Sequence, residues 1–174
     1  MLEVAFFRAT TRIQVDLVVR VVITARAIRI IAYTVFAPLF AQRSRIALLH
    51  ALCTIDELAF EDCTNLESLY LPASVTSIGD QPDWDSPVAD CPKLQAITVD
   101  SANPKYFSID GVLYCKDNGC LLTYPSGKSG SFDTPDFVLE YASDAFRGCR
   151  NLTGIRLGAN VTRKCAVKFE PVLG

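Results

Sequence analysis

Ile55-Asp56-Glu57-Leu58-Ala59-Phe60-Glu61-Asp62-Cys63-Thr64-Asn65-Leu66-Glu67-Ser68-Leu69-Tyr70-Leu71-Pro72-Ala73-Ser74-Val75-Thr76-Ser77-Ile78-Gly79 decides the fold, because its spacing returns twice downstream, at 88–99 and at 141–161. Aligned on Cys63, Cys91 and Cys149, the three stretches share Leu66, Leu94 and Leu152 three residues on. Leu69, Ile97 and Ile155 follow at the sixth residue, and Leu71, Val99 and Leu157 at the eighth. The last two positions alternate, so both side chains leave one face of a short strand. Phe60 or Phe146, the cysteine and the first leucine stand three apart, the spacing of one side of a helical turn. Neither piece can bury its apolar side alone, so stacking the units is what builds a core.

The expected fold is therefore an α/β repeat, a leucine-rich-repeat solenoid of short strands and helical turns. Its core residues are Phe60, Cys63, Leu66, Leu69, Leu71, Cys91, Leu94, Ile97, Val99, Phe146, Cys149, Leu152, Ile155 and Leu157. Leu71-Pro72-Ala73-Ser74-Val75-Thr76-Ser77-Ile78-Gly79, with the Ala-Phe-x-x-Cys-x-x-Leu units, resembles the BspA-like leucine-rich repeat family. A second element is similar to the same family: Asn103-Pro104-Lys105-Tyr106-Phe107-Ser108-Ile109-Asp110-Gly111-Val112-Leu113-Tyr114, continuing to Lys128. The resemblance implies a β-hairpin insertion at about 103–128, and the local chemistry agrees. Val112–Cys115 and Cys120–Tyr124 are strand-like around the turn residues Asp117-Asn118-Gly119.

The repeat domain is read as 44–162. Working back from Ile55, Ile46, Leu48, Leu52 and Ile55 match Leu69, Leu71, Val75 and Ile78. The pattern fades after Val161, where Gly158 replaces Pro72 and Lys164 takes an apolar position, so 163–174 reads as a tail. Residues 1–43 are an Arg-rich apolar segment, read as degenerate repeats or as a non-native extension. Over 13–27 apolar residues alternate as in a strand, while Arg8, Arg12, Asp16 and Arg20 make a helical stripe, and both readings stay open. The start fits neither a signal peptide nor a membrane span, since Arg20, Arg26 and Arg29 interrupt it.

Composition narrows the function. Of 174 residues half are hydrophobic, which excludes disorder as the overall state. The net charge of −2 gives no pull toward nucleic acid, and membrane association is not expected. The balance is uneven: residues 1–50 hold seven arginines against two acids, a net of +5, and 51–174 hold ten bases against seventeen acids, a net of −7. His50 is the one histidine, so no triad, dyad or multi-His metal site can form without it.

The candidate sites are few. The spacing of Cys63, Cys91 and Cys149 matches no compact zinc pattern, and at one repeat position they read as small buried hydrophobes. Cys115 and Cys120 flank the hairpin turn and would face each other, either as a disulfide or as two packed thiols. Acid pairs such as Glu61/Asp62 read as the solvated face. Trp84 lies in an extra-length segment, where insertions often line a binding face, and reads either as packing over the solenoid edge or as a candidate partner contact. No phosphate loop or nucleophile elbow occurs, so no catalytic residue, cofactor, metal or small-molecule substrate is expected. The expectation is a non-enzymatic module that binds another protein; the alternative is a spacer or decayed repeat protein without a ligand. The resemblance implies a secreted or surface location and a role in adhesion.

Overall fold

The computed structural model describes residues 22–24, 27–30, 45–47, 52–55, 59–79 and 86–164. Two rows of very short parallel strands run through it. On one side stand β2 (Ala27–Ile30), β4 (Thr54–Ile55) and β6 (Ser77–Ile78), with Ile30, Ile55 and Ile78 in register. β1 (Val22–Thr24) pairs antiparallel with β2 at the start of this row. On the other side stand β3 (Arg45–Ala47), β5 (Ser68–Leu71) and β7 (Ala96–Val99), with Ile46, Leu69 and Ile97 in register. Each coil thus contributes one strand to each row, and Ile55, Ile78, Leu69 and Ile97, all buried, stack into a shared interior.

An antiparallel excursion follows. β8 (Tyr106–Ile109) and β9 (Val112–Cys115) are joined by Asp110-Gly111, both at positive φ (51° and 80°). Aspartate and glycine tolerate that region, and two such residues match a strand pair's twist. β10 (Cys120–Thr123) pairs antiparallel with β9 and then rejoins the solenoid. It runs parallel to β12 (Glu140–Tyr141), which is followed by β14 (Arg163–Lys164). β11 (Gly130–Asp133) and β13 (Leu152–Arg156) resume the opposite row, with Phe132 beside Ile155. The expected single hairpin is therefore a three-stranded meander whose last strand belongs to a coil.

That coil, 121–141, is a repeat the cysteine alignment passes over. Backbone hydrogen bonds mark it: Val138 N donates to Pro135 O as Val75 N does to Pro72 O. Ala142 N donates to Leu121 O as Gly79 N does to Ile55 O. Cys149 Sγ donates to Tyr124 O as Cys91 Sγ does to Phe60 O, so Tyr124 holds the phenylalanine position and Gly127 the cysteine position.

No helix occurs among the described residues, so the expected helical turns are not seen there. The corner residues make isolated turns, with Cys63 N on Phe60 O and Leu66 N on Cys63 O. Between them Asp62, Asp90 and Gly148, each just before the repeat cysteine, sit at φ of 56°, 54° and 73°. A left-handed residue at that place stops the chain from continuing as a helix. Asn103 anchors the meander: its amide donates to Pro72 O and Val75 O, and its oxygen accepts from Lys105 N and Tyr106 N.

Candidate functional site

The outward positions of the strand row come first. β5 presents Ser68 and Tyr70 and β7 presents Ala96 and Thr98, all half-buried or exposed. The Tyr70 hydroxyl donates to Asp100 Oδ2 at 2.7 Å, and that hydrogen bond raises the phenol above its ordinary value. On the next stretch of this row Asp133 pairs loosely with Arg156 at 3.7 Å. This face is small and polar.

Apolar surface lies instead beside the meander. Phe107 stacks on buried Tyr114 at 5.2 Å, and Phe137 closes on both, at 5.5 and 5.1 Å. Phe137 is 39% exposed, Leu139 45% and Ile109 41%. Leu139 N donates to Gly119 O, which ties this loop to the β9–β10 turn. Phe137 and Leu139 are the residues sequence reasoning missed. A signal existed: aligning Pro135 and Val138 with Pro72 and Val75 puts Phe137 and Leu139 where Ser74 and Thr76 stand. Large apolar residues at outward repeat positions are not needed by the coil's own core, which is what marks them, although Phe137 covers the meander's rings.

The expected core residues fall into three groups. Phe60, Cys63, Leu66, Leu69, Leu71, Cys91, Leu94, Ile97 and Phe146 are buried. Val99, Cys149, Leu152 and Ile155 are partly buried and pack against that core. Leu157 is not in it: the side chain is 47% exposed, because β13 ends at Arg156 and hydrogen-bonds only to β11 among the described residues. Trp84 and His50 lie outside the described residues.

The thiols are hydrogen-bonded inside the stack. Cys91 Sγ donates to Phe60 O at 3.1 Å, and contact with Cys63, then burial, pushes its thiol up. Burial pushes Cys149 up to about 12. Cys115 and Cys120 form no disulfide, although they directly follow and precede the opposed residues Tyr114 and Leu121 at the turn end of β9 and β10. Among the described residues no three His, Cys, Asp or Glu side chains gather as a metal cluster, and no helix is long and apolar enough to cross a membrane.

One ionic group spans the corners. Arg147 reaches Glu61 at 3.2 Å, Asp90 at 3.1 Å and Asp144 at 3.3 Å. These acids come from three different stretches, so the guanidinium ties corners together, and Glu61 is a clamp residue rather than part of a solvated face.

Three solved structures are similar to the chain. The pneumococcal vaccine antigen PcpA is 31% identical over 67% of this chain and 28% of its own, with a TM-score of 0.57. A leucine-rich repeat protein from Eubacterium ventriosum is 21% identical over 70% of this chain and 43% of its own, at 0.51, which supports the fold alone. A leucine-rich cell surface protein from Faecalibacterium prausnitzii is 27% identical over 67% of this chain and 36% of its own, at 0.49. The chain therefore spans less than half of each of these chains. No curated protein sequence matches it. A family model of the BspA-type leucine-rich repeat region matches residues 21–109 in six copies, a span that overlaps the Arg-rich segment. With just over half of its length matched, and with the paired strand rows, stacked cysteines and corner turns in place, the chain belongs to the BspA-type leucine-rich repeat family.

Proposed function

We propose that this chain is a non-enzymatic protein-recognition module of a cell-surface or secreted protein. The observation that carries the reading is the patch of Phe107, Ile109, Phe137 and Leu139, where three large apolar side chains are each about two-fifths exposed. Rigid aromatic surface of this kind loses little conformational entropy on binding and anchors protein interfaces. The acids Glu61, Asp90 and Asp144 engage Arg147, so they do not converge on a substrate as a catalytic group would. Support for a surface location comes from the family and from likeness to PcpA, which is named as a vaccine antigen.

The test uses the repeat's own residues. Phe137→Ser with Leu139→Thr restores the side chains found at 74 and 76, so the coil should keep its fold by circular dichroism. Wild type and variant are passed over an array of purified extracellular-matrix and serum proteins. A partner retained by wild type and lost at least tenfold in affinity by the variant supports recognition through this patch. Equal retention moves recognition away from this patch, and no retention at all favours the second reading, a structural spacer. That reading has its own observation, the strand face at Ser68, Tyr70, Ala96 and Thr98, where the one large side chain is hydrogen-bonded to Asp100.

A further inference from the structure

Leu121 stands opposite Tyr114 in the β9–β10 pair, and that register, continued one residue toward the turn 116–119, brings Cys120 opposite Cys115. Directly opposed residues of an antiparallel pair leave the sheet on one side, with Cβ atoms ~4.5–5.5 Å apart. A disulfide needs ~3.5–4.5 Å, so a small closing movement of the turn suffices. The two thiols differ in access: Cys115 is half-buried, whereas Cys120 is 4% exposed. The arrangement pairs an accessible attacking thiol with a sheltered resolving one.

We propose that Cys115 and Cys120 are a reversible thiol–disulfide pair, oxidised by exchange with a small-molecule or protein disulfide. The Cys115 thiolate attacks one sulfur of the incoming disulfide and expels the other as a thiol, leaving a mixed disulfide on Cys115. The Cys120 thiolate then attacks the Cys115 sulfur and expels the second thiol. One S–S bond breaks and one forms, the two cysteine protons end on the two thiols released, and the cysteine pair loses the two electrons that the incoming disulfide gains. The crosslink closes a ring around Asp117-Asn118-Gly119. Gly119, at φ 61°, accepts from Leu139 N, so the ring holds the turn against which the apolar patch rests. Of the other stacked thiols, Cys63 and Cys91 are fully buried and poor competitors.

The sequence supplies a direct assay, because Lys116 lies between the two cysteines. The folded full chain is exposed to oxidised glutathione, quenched with iodoacetamide, denatured with more iodoacetamide and cut with trypsin. Peptides 106–116 and 117–128 should be found joined, at the sum of their masses less two hydrogens, and should separate on reduction. Cys63, Cys91 and Cys149 should carry carbamidomethyl groups. Cys120→Ser should stop at glutathione on Cys115, and Cys115→Ser should leave Cys120 without glutathione. The two peptides found unlinked in the oxidised wild type would overturn the proposal, as would oxidation of Cys63, Cys91 or Cys149 to the same extent; neither readout depends on the variants.

Discussion

Gly127 shows how much one missing methyl decides. A Cβ there would lie 2.6 Å from the Lys93 carbonyl carbon and 2.8 Å from Leu94 N, while Gly127 N donates to Leu94 O. The coil can seat against its neighbour only because nothing projects from this residue, and Ser126 Oγ completes the seat by donating to Cys91 O. Gly127→Ala should therefore cost about 1–3 kcal/mol through overpacking against backbone that cannot yield. Gly154 has nothing within 4 Å of its would-be Cβ, so Gly154→Ala should be neutral or stabilise by about 0.4–1 kcal/mol. Urea midpoints of the two variants check this, and similar midpoints would refute the packing argument. Gly127 also hid its coil from sequence reading, since a glycine in the cysteine position gives no apolar signal to align.

Among the elements, the corners are where chemistry departs from a hydrophobic repeat. The corner residue before each cysteine is Asp62, Asp90 or Gly148, all in left-handed backbone, and Gly148 lies against Asp90, whose Oδ1 would be 3.2 Å from an added Cβ. That closeness brings Arg147 within reach of Asp90 and Glu61, while Asp144 offers it a side chain with no exposure at all. Arg147→Ala leaves the Asp144 carboxylate buried without its cation, and should destabilise by about 1–3 kcal/mol, partial exposure of the arginine keeping the figure below that of a fully buried pair. Arg147→Lys should fall between, since an ammonium cannot fork to three acids as a guanidinium does. Thermal unfolding of the two variants measures this; an Arg147→Ala protein as stable as wild type would reduce the clamp to a surface contact. Asp144 lies three residues before Arg147, but Glu61 lies 86 residues away, and no local pattern links that pair.

On the scale of the whole molecule, buried acids that keep their protons set the alkaline limit of stability. Burial pushes the Tyr106 phenol and the Cys149 thiol up to about 12, from ordinary values of 10.0 and 9.0, and raises Tyr114 as well. The native state thus holds protons that the unfolded chain releases. Their stabilisation is fully present below the unfolded values and is lost as pH rises from there through the folded ones. Tm should stay level up to pH 9 and then fall toward pH 12, followed by circular dichroism. A Tm still level across that interval would mean that these groups ionise within the fold.

Period and composition alone determined the repeat, its phase and most of its core, because an apolar residue recurring at a constant position in stacked units has one place to go. Resemblance to the family located the excursion and local chemistry its Asp117-Asn118-Gly119 turn, while the turn at Asp110-Gly111 came from the structure. Only the tertiary structure decided three things: that the corners are turns rather than helices, that a further coil lies within 121–141, and that exposed apolar surface gathers beside the meander. Each depends on contacts between coils distant in sequence. Phe107 meets Phe137 and Arg147 meets Glu61 through stacking geometry, which the spacing of residues within any single unit does not contain.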